Sequence, residues 1–453
     1  MGFSSLATLA AAIEAPLNHV PPLLWGNQVS NITTDTRDLR ENALFVALVG
    51  DRFDGHGFVE QAIANGAIAA VVAEGKQVPH LPCLPVADTL IAYQALGQWW
   101  RTQQTASIVA ITGSVGKTTT KELIAAALRT QGRVHKTQAN YNNDIGVPKT
   151  LLQLQPDHNF AVVEMGMRGP GEIARLARIA VPDVAVITNV GTAHIGRLGS
   201  EQAIANAKCE LLAELPASGI AVLNHDNARL MATANPMWAG RTITFGLEGG
   251  DVQGHLLDSE TMEVQGVKLP LPLPGRHNAL NLLAAIAVMQ ALDLDWQGLS
   301  AGLTVDLPSG RARRVVLPND VVLLDETYNA GIESMTAAIH LLAETPGQRR
   351  IAVLGTMKEL GEQSVTLHCQ VGRVVNQLGL DRLLILADPE EAVALAEAAN
   401  GVEATIFDNH SSLSQHLIAM LEPGDRVLLK ASRSVALDQV VDQLIKAFDT
   451  SAQ

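Results

Sequence analysis

Gly113, Gly116, Lys117 and Thr118 form the group with the clearest chemical purpose. In Ser107-Ile-Val-Ala-Ile-Thr-Gly-Ser-Val-Gly-Lys-Thr-Thr-Thr120 an apolar strand runs into a short turn and then directly into a helical pattern. Backbone N–H groups at such a turn converge with the positive end of the helix dipole, and this combination holds phosphate. The glycines let the backbone approach the anion with no Cβ in the way. Lys117 can reach the β- and γ-phosphates, and the Thr118 hydroxyl can ligate Mg²⁺. The general pattern G-x-x-x-x-G-K-[ST] would place a glycine at position 111, where Ile111 stands, so the turn is the shorter G-x-x-G-K-T. The competing reading is a glycine-rich turn with a solvated lysine. Strand, loop, Lys-Thr and helix in one register favour the phosphate cradle.

Other residues could join this chemistry. Glu164 closes an apolar strand, where a carboxylate can face the crevice beyond the sheet's C-terminal edge. His194 also follows a strand. Lys208 lies in the helical stretch Glu201–Glu214, and by residue type alone it reads as a solvated cation. Lys121, one turn past Lys117, reads the same way.

These residues need a scaffold, and the chain falls into three zones. The first has the apolar runs Ala43–Leu48 and Ala67–Ala73 and helical stretches at Gly57–Asn65 and Thr89–Arg101, then a polar linker at Thr102–Ala106. The second starts with the strand Ser107–Ile111 and the helix Lys117–Thr130. It continues with the strands Phe160–Val163 and Val184–Thr188, an alternating stretch from Gly240 to Leu271 expected to add antiparallel strands, and a helix at Asn278–Leu292. The third, after Gly310–Arg314, cycles strand and helix from Val321 to Phe448. Apolar runs separated by helices of this length indicate βαβ units and parallel sheets, so three α/β domains are expected. Trp99-Trp100 near the first linker reads as packing between domains.

Composition bounds the rest. The 453 residues suffice for about three domains. With 47% apolar and 17% charged residues the chain is ordinarily globular. Its net charge of −14 gives no sign of the basic excess expected of a duplex-binding protein, so no nucleic-acid partner is expected. No run approaches the ~20 apolar residues of a spanning helix, and the first basic residue is Arg37, too late for a leader's positive region. Cys83, Cys209 and Cys369 are sparse and lack CxxC spacing, which fits a reducing, cytoplasmic setting.

The phosphate turn resembles the short ATP loop of the Mur ligases, ATP-dependent amide-forming enzymes of peptidoglycan synthesis. The resemblance runs along nearly the whole chain. Thr34-Asp-Thr-Arg37, Leu44–Gly50 and Phe53-Asp-Gly-His-Gly-Phe58 resemble the UDP-binding domain of the two later ligases. Asn140–Pro148, Glu164 in Val162–Gly166, Asn189–His194, Lys208 and Leu273–Asn278 with Asn281 resemble further family segments. Asp325-Glu-Thr-Tyr-Asn-Ala330, Ser334-Met335 and Leu354–Gly361 resemble the last ligase of the series, and the Asp-Asn-Pro-Arg of the diaminopimelate-adding member is absent. The chain departs from the pattern at Thr356, where Asp is usual, and at Ala431, where Gly is usual.

The resemblance implies a UDP-sugar-binding α/β domain over residues 1–104, a P-loop parallel-sheet ATP domain over 105–312 and a Rossmann-like domain for the amino substrate over 313–453. It implies ATP and Mg²⁺ as cofactors, and UDP-MurNAc-tripeptide and D-Ala-D-Ala as the substrates joined through an acyl phosphate. The chain would act as a monomer. Thr112, Gly113, Ser114, Val115, Gly116, Lys117, Thr118 and Thr119 would bind the phosphates. Thr118 and Glu164 would hold one Mg²⁺, and His194 a second, joined by Lys208 where a CO₂-derived carbamate turns it into an oxygen ligand. Asn278 and Asn281 would meet the adenine, with Arg311 and Asp325 near ribose and phosphates. Asp35, Thr36, Arg37 and His56 would hold the UDP end, and Asn142 and Asn143 the sugar-peptide. Tyr328, Asn329, Lys430 and Arg433 would receive D-Ala-D-Ala. Two alternatives stand beside this: a different Mur-type or folylpolyglutamate-like ligase, and a nucleotide-gated P-loop protein that hydrolyses ATP without an amine acceptor.

Overall fold

The computed structural model describes residues 2–50 and 53–450. Among the described residues the chain builds sheets of four, nine and six strands, plus one small ribbon. The four-stranded sheet is parallel and orders Ile32–Thr33, Ala43–Val46, Ala67–Ala73 and Cys83–Val86. Its strands are buried on both faces, which is why they read as unbroken apolar runs rather than alternating ones.

In the nine-stranded sheet Ser107–Thr112 lies between Val184–Ile187 and Phe160–Glu164, parallel to both. Thr112 is level with Ile187, and Ile111 with Glu164. The turn after Thr112, the Glu164 carboxylate and the Thr188–Asn189 segment therefore share one C-terminal edge, where ligands bind in open parallel sheets. The alternating stretch from Gly240 to Leu271 is only partly antiparallel. Thr242–Gly246 pairs in parallel with Ile220–Asn224 and with Val252–Leu256, and antiparallel pairing begins at Thr261–Val264 and Val267–Pro270. The helix Arg276–Ala291 is apolar nearly all round and packs against this sheet and the helix Lys117–Arg129.

The third sheet orders Arg313–Leu317, Val321–Glu326, Arg426–Lys430, Arg350–Gly355, Arg382–Leu386 and Glu403–Ile406. The parallel expectation holds for all but its first strand. Arg313–Leu317 is antiparallel to Val321–Glu326 and reaches it through a tight turn in which Asn319 and Asp320 have positive φ. Glu326 and Lys430 are register partners at the C-terminal ends of adjacent strands. The helix Thr89–Thr102 joins the first sheet to the second. Trp100 is buried there with its indole N–H donating to Leu154 O at 3.0 Å, and Arg101 pairs with Asp183 at 2.8 Å. The tryptophan is packing, as its position suggested. No helix among the described residues is long and apolar enough to cross a membrane.

Candidate active site

The phosphate turn is held from behind by the strand end beside it. Asn189 O accepts the Ser114 N–H at 3.0 Å, and the Asn189 side chain both accepts from Val115 N and donates to Val115 O, each at 2.9 Å. Thr188 Oγ1 donates to the same carbonyl at 2.7 Å. Thr188 approaches so closely that a Cβ on Gly113 would lie 1.9 Å from its Oγ1, so only glycine fits there. Gly116 caps the helix Lys117–Arg129, whose first-turn N–H groups have no partner within the helix and face the open side. Lys117 Nζ folds back onto Gly113 O at 2.8 Å and Ser114 O at 3.4 Å. Burial pushes its ammonium below the ordinary lysine value, nearby Glu164 works against that, and Arg311 adds to it.

The turn opens into a cavity of about 800 Å³ that the second and third domains line together. Ser114 to Thr119, Asn142, Asn143, Glu164, His194, Asn278, Asn281, Arg311, Tyr328, Asn329, Lys430 and Arg433 all line it. Glu164 is buried, with Oε2 accepting from Thr118 Oγ1 at 2.9 Å and Oε1 from Asn142 Nδ2 at 2.8 Å. Asn281 links Thr120 to Asn278, at 3.0 Å and 3.3 Å, so the two asparagines form one braced pair. The Arg311 guanidinium stacks 3.9 Å above the Tyr328 ring, and its buried Nε has no hydrogen-bond partner. Lys430 donates to Asn329 O at 3.1 Å and lies 3.5 Å from Glu326. Lys117, Arg311 and Lys430 thus bring three cations to a polar cavity, with Glu164 acting on Lys117 and Glu326 on Lys430 while the Arg311 Nε stays unpaired. An unpaired buried donor among clustered cations suits a multiply charged anion.

His194, left-handed with φ of +68°, lies where the two domains meet. Its Nδ1 is 2.5 Å from Glu359 Oε2, and Arg197 is 3.5 Å from the same carboxylate. Burial pushes the imidazole down, and Glu359 opposes that. Lys208 lies just behind the cavity wall, 1% exposed, with neither a hydrogen bond nor a salt bridge to its amine among the described residues. Burial, reinforced by Lys117, pushes it well below the ordinary lysine value. A solvated helix lysine is therefore the wrong reading for Lys208. Burial thus disfavours the charged ammonium and favours the neutral amine, the nucleophilic form.

Several expectations need correcting. Lys121 is not solvated: it is 1% exposed, donates to Thr137 O at 2.9 Å, pairs with Glu122 at 3.1 Å and lies 3.8 Å from Glu164 Oε2. Thr112 and Gly113 lie beneath the cavity rather than on its wall, and Thr112 Oγ1 is spent on Met165 O at 2.9 Å. Asp325 is not on the cavity wall: it is buried, with Oδ1 accepting from Thr327 Oγ1 at 2.7 Å and Oδ2 3.8 Å from Arg313, and its neighbour Glu326 lines the cavity. Strand alternation sends adjacent side chains to opposite faces, which separates Glu326 from Asp325.

The first domain departs further from expectation. Asp35 and Arg37 pair with each other at the surface at 2.7 Å, and that contact holds the Asp35 carboxyl down at about 2. His56 is occupied on both nitrogens: Nδ1 meets Asp54 at 2.5 Å and Nε2 accepts the Ala73 N–H at 2.9 Å. Neither these residues nor Thr36 line the shared cavity. A second cavity of about 650 Å³ lies next to them, lined by Thr33, Thr34, Asp38, Arg40, Lys149 and Gln153 among others. Glu326, Glu333 and Glu359 also line the shared cavity, and neither residue type nor spacing in the sequence singles them out. Glu359 lies within the Leu354–Gly361 motif, which was the available signal.

Comparison with known proteins places this geometry. Family models match residues 28–128 (Mur ligase family, catalytic domain), 111–289 (Mur ligase middle domain) and 310–433 (Mur ligase, glutamate ligase domain). The UDP-N-acetylmuramoyl-tripeptide–D-alanyl-D-alanine ligase of Synechocystis sp. is 57% identical over 450 residues, covering 99% of both chains. The crystal structure of MurF from Acinetobacter baumannii superposes with a TM-score of 0.88 at 32% identity, covering 98% of this chain and 99% of that one. MurF ligase from Thermotoga maritima, solved in complex with ADP, gives a TM-score of 0.82 at 31% identity, covering 93% and 98%. A short phosphate turn opening on a cavity shared by two α/β domains, and these matches along the whole chain, have one explanation: the chain belongs to the Mur ligase family.

Proposed function

We propose that the protein is the ATP-dependent ligase that joins D-Ala-D-Ala to UDP-MurNAc-tripeptide, giving UDP-MurNAc-pentapeptide for peptidoglycan. The observation that carries this reading is the shared cavity. Lys117, Thr118 and Glu164 face Arg311 and Lys430 across it, as a reaction assembling a triphosphate, a carboxylate and an amine requires. The likeness to the Synechocystis ligase supports the same substrates.

A peptide carboxylate does not acylate an amine in water unless it is activated. Transfer of the terminal phosphoryl of ATP to the carboxylate oxygen gives an acyl phosphate and ADP. The amine then attacks the acyl carbon and phosphate leaves. Such chemistry rests on positioning and on neutralising charge as it moves. The N–H groups of the Ser114–Thr119 turn and Lys117 hold the triphosphate, and Arg311 offers its free Nε to the same phosphates. Asn278 and Asn281 present amide edges to the base. Asn142 and Asn143 hold peptide groups of the UDP-linked substrate. Tyr328, Asn329, Lys430 and Arg433 receive the dipeptide, its terminal carboxylate paired with the two cations.

The donors suit Mg²⁺. A hydroxyl and one buried carboxylate, Thr118 and Glu164, leave most positions to phosphate oxygens and water, as this ion prefers. Among the described residues no group of three or more His, Cys, Asp or Glu forms an all-protein metal cage. His194 and a carbamylated Lys208 would hold a second ion. Bound there, Mg²⁺ would supply charge neutralisation to the phosphates.

On this reading residues 1–104 bind the UDP-sugar, with Asp35, Thr36, Arg37 and His56 shaping the rim beside the second cavity. Residues 105–312 bind ATP and 313–453 the amino substrate, in a cytoplasmic monomer. The test is phosphate release and product mass with each substrate omitted in turn. Release and pentapeptide formation are expected only with ATP, the UDP-tripeptide and D-Ala-D-Ala together. Equal phosphate release without the dipeptide or without the UDP-tripeptide would support a nucleotide switch instead.

A further inference from the structure

The third domain lends three carboxylates to the cavity wall: Glu326, Glu333 and Glu359. Two are already matched with cations. Glu326 faces Lys430 at 3.5 Å, and Glu359 faces His194 and Arg197. Glu333 is different, because among the described residues it has no salt-bridge partner. It lies in the first turn of the helix Ile332–Glu344 and crosses to the second domain, where Oε1 accepts the Thr192 N–H at 2.6 Å and Oε2 the Thr192 hydroxyl at 3.3 Å.

The second domain is shaped to admit it. A Cβ on Gly191 would lie 2.3 Å from Glu333 Oε1, so the bare backbone makes room for the carboxylate. The same segment is bound to the phosphate turn, with the Gly191 N–H donating to Ser114 Oγ at 2.9 Å. Glu333 is therefore held one residue along from a hydrogen bond to the phosphate turn, in the cavity that Tyr328, Asn329 and Lys430 also line. Both of its hydrogen-bond donors are neutral, half of its lone pairs are free, and the charge it acts on is the buried Lys208, to which it makes no salt bridge.

A dipeptide amine arrives as an ammonium at one end and a carboxylate at the other, so its site needs both signs of charge. Lys430 and Arg433 supply the positive one. We infer that Glu333 is the anionic subsite that recognises the ammonium of the incoming amino substrate and holds its nitrogen beside the phosphate turn. This deepens the proposed function and rests on it.

Glu333→Gln removes the charge while leaving an oxygen to accept from Thr192. A charge-assisted hydrogen bond lost in this way should raise the KM for D-Ala-D-Ala by roughly 10–100-fold. The KM values for ATP and the UDP-tripeptide should stay at wild-type values. The hydroxyl analogue of the dipeptide, in which the amine is replaced by a neutral group, should inhibit wild type and variant equally. Glu333→Asp, which keeps the charge, should regain part of the affinity. A residue that only ties the two domains together would weaken all three substrates and the hydroxyl analogue alike, and that result would overturn the inference. So would an unchanged KM for the dipeptide in a variant of a wild type that ligates. A wild type that makes no pentapeptide would bring down the proposed function and this subsite with it.

Discussion

At the scale of single residues the site is a set of charged side chains held around a polar cavity. Lys117 is fixed by two carbonyls of its own turn, so its charge is preorganised before nucleotide arrives. Removing one such contact typically costs on the order of 100–1000-fold in rate. Lys117→Ala should therefore lose that much kcat while the protein stays folded, measured by phosphate release alongside a thermal melt. A variant keeping more than half its activity would take Lys117 out of the site. The sequence made this lysine legible because strand, glycines, lysine and helix follow one another without a gap. Residues whose partners are distant in sequence were less legible. Lys121 has the type and spacing of a surface lysine, yet its amine meets Thr137 O and the carboxylates of Glu122 and Glu164. Asp325 and Glu326 are adjacent acids at a strand end, and only the pleat decides that the second one faces the cavity.

At the scale of elements, what positions the site is the alignment of strand ends in the second and third sheets. Apolar runs with helical spacers made the parallel strands visible. Arg313–Leu317 escaped because its exposed face carries arginines and its antiparallel pairing depends on a turn with two residues at positive φ. The edge strand Val134–Lys136 offers a test of element-level stability. His135 Nε2 bonds Thr150 O at 3.0 Å, tying the strand to the helix Gly146–Leu152. Burial holds this imidazole neutral, pushed from 6.5 to about 4, with His158 adding to the effect. An unfolded chain takes up the proton at higher pH than the folded one, so folding stability is full above pH 6.5 and is lost as pH falls toward about 4. The contribution is on the order of 1–3 kcal/mol. His135→Gln, which keeps a donor for Thr150, should flatten that part of the pH dependence in urea midpoints. A constant difference between variant and wild type across the window would contradict it.

At the scale of the whole molecule, three domains are joined in series and the second and third meet around one cavity. The first is fastened to the second by Trp100 and Arg101, and the second to the third by Glu333 on Thr192 and Glu359 on His194. The number and kind of domains were readable from composition and periodicity. The two glutamate contacts were not, because nothing local marks a carboxylate as belonging to another domain's loop. The second domain contributes the phosphate turn and the asparagines, and the third contributes Lys430 and Arg433. Their convergence implies a direct path for one oxygen atom. If Lys117 and its turn hand the terminal phosphoryl to the peptide carboxylate, an oxygen of that carboxylate must leave with phosphate. The decisive measurement uses UDP-tripeptide labelled with heavy oxygen in its terminal carboxylate, followed by mass analysis of the released phosphate. One labelled oxygen is expected in each phosphate formed, with ADP as the other product. Unlabelled phosphate, or AMP with pyrophosphate, would contradict phosphoryl transfer to the carboxylate.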